Sequence, residues 1–244
     1  MNPREQYQPQ INQFVTVCHR LAELGYVTSH GGNLAWRVDE DVLLITATCL
    51  AKREHQPEDV VLINRQGEAL TPGKRPTGEL PIYLSLFASR PDVRSIIHCH
   101  PPACCAVAIR QGDNPLILPL FPEVILEIGP VPLVPYATPL STELADSFGP
   151  YLQRHNAFLM ENHGVLLMTP RPLDWCLGLM EELESCADSV LRALATGPLR
   201  TIRRQRLIEM DRILDQRALP RVGAPGANLS LADQYYPAAG GPQS

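Results

Sequence analysis

Two histidines stand two residues apart in the run Ile96-Ile97-His98-Cys99-His100-Pro101-Pro102, directly after an apolar stretch that reads as a buried strand. Side chains alternate between the faces of a strand, so His98 and His100 project together while Cys99 points away. A pair of imidazoles on one face can ligate a metal ion. Zinc takes imidazole nitrogen at about 2.0–2.1 Å, and catalytic zinc commonly has three protein ligands with one position left open, so a third ligand belongs elsewhere in the chain. The candidate is His163, in Glu161-Asn162-His163-Gly164, between the apolar runs 157–160 and 165–168 and beside a glycine that permits close backbone approach. Taken alone, an HxH pair is read equally well as two structural histidines. Glu79 supplies a carboxylate that could complete a set of the kind zinc-class metals accept, as a fourth ligand or as a base. Taken alone, it is a first-turn glutamate complementing a helix dipole, an effect of about 0.3–1 kcal/mol.

The elements that must position these groups follow from periodicity and turn residues. Residues 11–24 carry Phe14, Cys18, Leu21 and Leu24 at helical spacing, with Gly25 as the stop. Residues 33–38 and 42–46, about Asp39-Glu40-Asp41, and residues 60–64 and 68–70, about Gln66-Gly67, read as hairpins. A helix is expected from Thr77 as N-cap, with Glu79 in its first turn and Leu84, Leu86 and Phe87 as apolar positions, closed by Pro91. Residues 102–110 read as helix, 119–139 as irregular and proline-rich, and 141–154 as helix with Glu143 in the first turn. The longest helix is expected over 173–195, its apolar stripe serving as core or subunit interface. Residues 200–217 form a basic helix with a solvated face. The expected organisation is one domain over 1–218, with a Pro/Gly-rich tail at 219–244 that is loose unless a neighbour orders it.

The bulk properties exclude several classes. The chain has 244 residues, 45% hydrophobic and 19% charged, which are values for a folded domain with a substantial core. Its net charge is −5 and no basic stripe alternates with aromatics, so nucleic acid is not an expected partner. No run approaches the ~18 apolar residues of a membrane span, and Met1-Asn2-Pro3-Arg4 does not open a secretory signal, so a soluble cytoplasmic protein is expected. Seven cysteines, none in a CxxC pair, fit buried free thiols.

The runs Pro76-Thr77-Gly78-Glu79-Leu80-Pro81-Ile82-Tyr83-Leu84, Arg90-Pro91-Asp92-Val93 and His98-Cys99-His100-Pro101-Pro102 stand in an order that resembles the class II aldolase and adducin-head family, typified by fuculose-phosphate aldolase. Gly32-Asn33-Leu34-Ala35-Trp36-Arg37, Leu44-Ile45-Thr46, Pro57-Glu58-Asp59, Val134-Pro135-Tyr136-Ala137, Glu143-Leu144-Ala145 and Glu161-Asn162-His163-Gly164 extend the likeness over roughly residues 10 to 195. The resemblance implies an α/β three-layer fold with a central, mainly antiparallel sheet flanked by helices, and a homotetramer with active sites at subunit interfaces. It makes His98, His100 and His163 the metal ligands and Glu79 the catalytic acid/base, with Zn2+ as the cofactor and Mn2+, Co2+ or Fe2+ also accepted. The implied partner is a small molecule of carbohydrate metabolism. The activity expected is carbon–carbon lyase chemistry: aldol cleavage of a small ketose, as a sugar phosphate, through a metal-stabilised enediolate. Decarboxylation or epimerisation on the same fold is the alternative reaction, and a non-catalytic binding module like the adducin head is the alternative class.

Three departures from the family pattern bear on the substrate. In its sugar-phosphate aldolases a Gly-Asn pair, a Ser/Thr-Gly pair and a Ser-Ser pair build the phosphate pocket. Here Gly32-Asn33 is kept, but the other pairs read Thr48-Cys49 and Thr77-Gly78, so Gly32, Asn33, Thr48, Thr77 and Gly78 are the candidate substrate and phosphate contacts. His30 could help hold an anion or be an ordinary loop residue. Phe121 stands in the region where the aldolases place a proton-donating tyrosine, with Glu123 or Glu127 as candidate replacements. Tyr235 or Tyr236 could serve as the tyrosine that the family borrows from a neighbouring subunit, whereas Tyr136 is explained by packing.

Overall fold

All five residues of the strand that carries His98, β4 (Ser95–Cys99), are buried, because both faces of the sheet at this point are covered by helices. A computed structural model describes residues 2–226 and 229–237. Besides β4, its sheet contains β1 (Asn33–Asp39), β2 (Val42–Ile45), β3 (Val61–Ile63), β5 (Leu133–Val134), β6 (Ala157–Met160) and β7 (Gly164–Thr169), in the order β3-β2-β1-β4-β7-β6-β5. Every pairing is antiparallel except β5 with β6. The helices are α1 (Pro3–Gln6), α2 (Gln8–Glu23), α3 (Leu80–Ser89), α4 (Pro102–Ala108), α5 (Pro122–Glu127), α6 (Thr142–Ser147), α7 (Leu173–Leu194), α8 (Arg204–Gln216) and α9 (Leu231–Tyr235).

Strand alternation sorts the core into two layers. Leu34, Trp36, Ile97, Cys99, Val165 and Leu167 pack against α2, α4 and α7 on one face. Ala35, Ile96, Phe158, Leu166 and Met168 pack against α3 and α6 on the other. Full burial of each large apolar side chain contributes about 1.5–3 kcal/mol, so this double covering fixes the register. His98 shares the face of Ile96, and the register sets Asn33 directly opposite it on β1. The α7 stripe is as expected, with Leu173, Cys176, Leu177, Met180, Leu183, Ala187 and Val190 buried.

Several local expectations shift, each for an identifiable reason. α2 stops where expected: Tyr26 N–H donates to Leu21 O and Gly25 N–H to Ala22 O, the paired bonds of a Schellman ending. α3 begins at Leu80 with Glu79 as its N-cap residue, not at Thr77. Thr77 is drawn into extended pairing, its amide donating to Thr46 O at 3.0 Å beside the Ala47–Pro76 bridge. α6 ends at Ser147 because Gly149-Pro150 cannot continue it, although helix was expected to residue 154. Residues 68–70 contribute one bridge, Ile63 to Ala69, instead of a full strand. The stretch 119–139 contains α5 and β5.

Residues 219–226 and 229–237 of the tail pack as well, and the remainder of the tail lies outside the described residues. Asp211 of α8 is buried, its carboxylate accepting from Arg221 Nε at 2.9 Å and from the amides of Leu231 and Ala232 at 3.0 and 3.2 Å. These bonds seat α9 on a small core of Ile125, Leu207, Leu214, Ala224 and Leu231. All seven cysteines are free thiols, and Cys49 alone is exposed. Among the described residues no helix is long and apolar enough to cross a membrane.

Candidate metal centre

His98, His100 and His163 converge from three chain positions: the body of β4, its C-terminal edge, and the tight turn between β6 and β7. Their ring centroids lie 4.8–5.4 Å apart, and one ring nitrogen from each falls within 4.8 Å of the other two. His98 Nδ1 bonds the carbonyl of Val165 at 2.9 Å, so Nδ1 carries the proton and Nε2 presents its lone pair to the centre. His100 Nε2 and His163 Nδ1 are buried and have no hydrogen-bond partner among the described residues. A buried polar atom left unpaired costs about 1–3 kcal/mol, and two of them aimed into one histidine cluster are what a cation would satisfy. The donor set fits a divalent ion of the zinc class.

The electrostatics favour neutral imidazoles, the form that ligates metal. Burial, helped by the neighbouring His163, brings His98 down to about 3, and burial with His98 and His163 brings His100 down to about 3. His163 is lowered by burial against the opposing pull of Glu79.

Backbone contacts hold the ligands. The His100 amide donates to Tyr26 O at 2.7 Å, which ties the β4 edge to the end of α2. Gly164 makes room for the His100 ring: a Cβ there would lie 2.5 Å from His100 Cδ2 and 2.7 Å from the Cys99 carbonyl oxygen. Gly32 has φ +73°, and a Cβ on it would meet Val27 Cγ1 at 2.5 Å, so the strand entry to Asn33 requires glycine.

Glu79 closes one side of the centre. Its Oε2 accepts from Asn33 Nδ2 at 2.7 Å, and Asn33 Oδ1 in turn accepts from Thr46 Oγ1 at 3.0 Å. Thr77 Oγ1 accepts from the Glu79 amide at 3.3 Å. The carboxylate is thus oriented by a relay reaching back into β1 and β2, while its second oxygen has no such bond among the described residues.

These groups line a cleft of about 270 Å³ together with His30, Gly31, Gly32, Thr48, Cys49, Gly78 and Leu140. The candidate contacts Gly32, Asn33, Thr48, Thr77 and Gly78 are therefore gathered with Glu79 and the three histidines. Cys49, which stands where the resemblance expects glycine, has a left-handed backbone, φ +55°, a conformation that glycine adopts more readily. His30 is exposed and its Nδ1 is bonded to Ser29 Oγ at 2.9 Å.

Other candidates lie elsewhere. Phe121 is the N-cap residue of α5 and does not line the cleft. Glu123 and Glu127 line a separate groove with Glu182, whose carboxyl is raised by burial and by those two charges. Tyr235 has a buried hydroxyl with no hydrogen-bond partner, and Tyr236 donates to the carbonyl of Ile202 at 2.8 Å. Neither lines the cleft of its own chain.

Two neighbours of the site were not legible in the sequence. Leu140, in the left-handed region at φ +67°, leans on Gly78 from a loop that no local signal marks. Lys52 is buried behind the Thr48 loop, where burial lowers its pKa against the opposing effects of Cys18 and Glu79.

Comparison with known proteins identifies the family. The family described as Class II Aldolase and Adducin N-terminal domain matches residues 12–191. A 3-oxo-tetronate 4-phosphate decarboxylase of Pectobacterium atrosepticum is 32% identical over 165 residues, 67% of this chain and 75% of that protein. An L-fuculose phosphate aldolase of Escherichia coli is 30% identical over 190 residues, 77% of this chain and 85% of that protein. Among solved structures, YgbL of Klebsiella pneumoniae, described without a decision between aldolase, epimerase and decarboxylase, superposes with a TM-score of 0.73. It is 29% identical, and the match covers 80% of this chain and 94% of that one. With an antiparallel sheet between helix layers and a three-histidine centre beside a glutamate, the chain belongs to the class II aldolase and adducin family.

Proposed function

We propose that the protein is a divalent-metal-dependent decarboxylase of a small phosphorylated 3-oxo acid, of the 3-oxo-tetronate 4-phosphate type. The observation that carries the reading is the convergence of three imidazole nitrogens, two of them otherwise unpartnered, beside a hydrogen-bonded carboxylate. His98, His100 and His163 would hold the ion, with Zn2+ as our assignment. A divalent cation there supplies Lewis-acid stabilisation of negative charge developing on a substrate carbonyl oxygen.

The remaining roles fall to the chain. Thr48, Thr77 and the backbone at Gly32 and Gly78 would seat the phosphate, placing the 3-oxo group toward the histidines. Loss of carbon dioxide breaks the C1–C2 bond and sends its electron pair toward the C3 oxygen. Glu79, held by Asn33, would deliver the proton that replaces the carboxylate on C2, leaving a three-carbon ketose phosphate. This reaction requires no proton donor for a departing aldehyde alkoxide, consistent with an apolar Phe121 lying outside the cleft. Relatives named as decarboxylases at 28–32% identity support the same choice.

Aldol cleavage of a ketose phosphate is the second reading, favoured by the 30% identity to a fuculose phosphate aldolase and by the same donor set. The test is to incubate metal-loaded protein separately with 3-oxo-tetronate 4-phosphate and with L-fuculose 1-phosphate, recording carbon dioxide and aldehyde. We expect carbon dioxide from the first at a rate at least 100-fold above aldehyde from the second. Aldehyde release with no carbon dioxide would replace decarboxylation by aldol cleavage.

A further inference from the structure

The three ligands are not held alike. His98 is fixed through its own ring by the Val165 carbonyl, whereas the buried His100 Nε2 has no partner among the described residues. The aim of the His100 ring therefore depends on its backbone. On its own amide it is held by Tyr26 O at 2.7 Å. On the other side the chain runs through Pro101 and Pro102 into α4, and there the anchor comes from a distant helix.

Glu184, in the middle of α7, accepts from the Ala103 amide with Oε1 at 2.7 Å and from the Cys104 amide with Oε2 at 2.9 Å. These are the first amides α4 possesses, since neither proline has one, and Pro101 offers no side-chain cap. One carboxylate thus satisfies two orphan donors and meets the positive end of the helix, a role usually filled by the residue preceding the helix. The chain keeps two prolines at the ligand turn and recruits the cap from 80 residues away.

We infer that Glu184 is a positioning residue for the metal centre: by capping the helix that follows His100, it holds that imidazole in line with His98 and His163. The inference rests on the reading of the histidine cluster as a metal site. Without the cap the two amides would seek other partners and the Pro101–Cys104 turn would sample other poses. Apparent metal affinity falls by the fraction of time His100 is misplaced.

The test is Zn2+ affinity of the full-length protein, measured by competition with a chelator of known affinity, alongside thermal melting of the metal-free form. Glu184→Ala should bind Zn2+ about 3- to 30-fold more weakly than wild type at a temperature where both are folded, the range that loss of a helix cap converts to. Glu184→Gln, which keeps one acceptor, should recover part of that loss, and it carries the comparison if the alanine variant does not fold. Wild-type Zn2+ affinity in both variants, with only the melting temperature lowered, would make Glu184 a structural cap and overturn the inference alone. Failure of the wild type to bind Zn2+ would overturn the metal reading and this inference with it.

Discussion

Gly164→Ala changes one hydrogen to a methyl group at the place where β7 passes the His100 ring, and the structure sets the size of the consequence. The new Cβ would lie 2.5 Å from His100 Cδ2 and 2.7 Å from the Cys99 carbonyl oxygen, whereas ordinary contact begins at 3.4 Å. The Cys99 carbonyl is backbone in the β4–β7 pairing, so moving the ring alone cannot seat the methyl: the pairing at Cys99–Val165 must give, and the ring must retreat by the 0.9 Å that separates 2.5 from 3.4 Å. Gly164 is not in the left-handed region, so the effect is steric and owes nothing to backbone strain. Metal–nitrogen bonds tolerate displacements of about 0.2 Å, so His100 would no longer bind in register. We expect Zn2+ affinity to fall at least about 100-fold, more than about 2.7 kcal/mol, together with a lower melting temperature from the displaced β4–β7 backbone. Gly178→Ala, on α7 in open space, is the control: Zn2+ binding unchanged and stability raised by up to about 1 kcal/mol. Chelator competition and thermal melts on the three proteins make the comparison. Wild-type Zn2+ affinity in Gly164→Ala would refute the placement of His100.

Two further outcomes follow from named bonds. Asn33→Ala removes the 2.7 Å donor to Glu79, a bond to a charged group worth about 1.5–3 kcal/mol, so turnover of 3-oxo-tetronate 4-phosphate should drop roughly 10- to 100-fold while Zn2+ binding persists. Equal loss on Thr46→Val, which reaches Glu79 only through Asn33, would contradict the order of the relay. His155, buried with Nδ1 bonded to Pro130 O, has its pKa lowered to about 4 by burial, from a reference of 6.5. The unfolded chain therefore binds the proton first, so the metal-free protein should lose stability as pH falls from 6.5 to 4, by up to about 3 kcal/mol from this group. Urea melts across that range should show a shallower loss in His155→Gln, and an unchanged slope would remove His155 as a cause.

What could be read from the sequence was what short motifs and periodicity encode. The HxH pair follows from strand alternation, the α2 stop from Gly25, and the α7 stripe from helical spacing. The gathering of Glu79 and Asn33 about the histidines came from the family resemblance, because it depends on pairing β1 with β4 across more than sixty residues. Glu79 stands two positions nearer the helix start than the Thr77 cap implies, because the pull of Thr46 on Thr77 is a long-range contact. The cap from Glu184, the packing of Leu140 on Gly78, and the Asp211 bonds that seat α9 all join distant segments through side chains without a local signature. The packing of residues 229–237 has that last cause: composition reports the entropy of a Pro/Gly-rich stretch and is blind to a buried carboxylate that accepts from the amides of Leu231 and Ala232.

On the proposed reading the three histidines hold a divalent ion on which activity depends. Its most direct test is to strip the protein with a chelator, titrate Zn2+ back while recording bound metal and carbon dioxide release from 3-oxo-tetronate 4-phosphate, and repeat the titration on His98→Ala. We expect one ion per chain, activity returning in step with occupancy, and loss of both in the variant. Full activity in the stripped protein, or undiminished stoichiometric binding by His98→Ala, would contradict it.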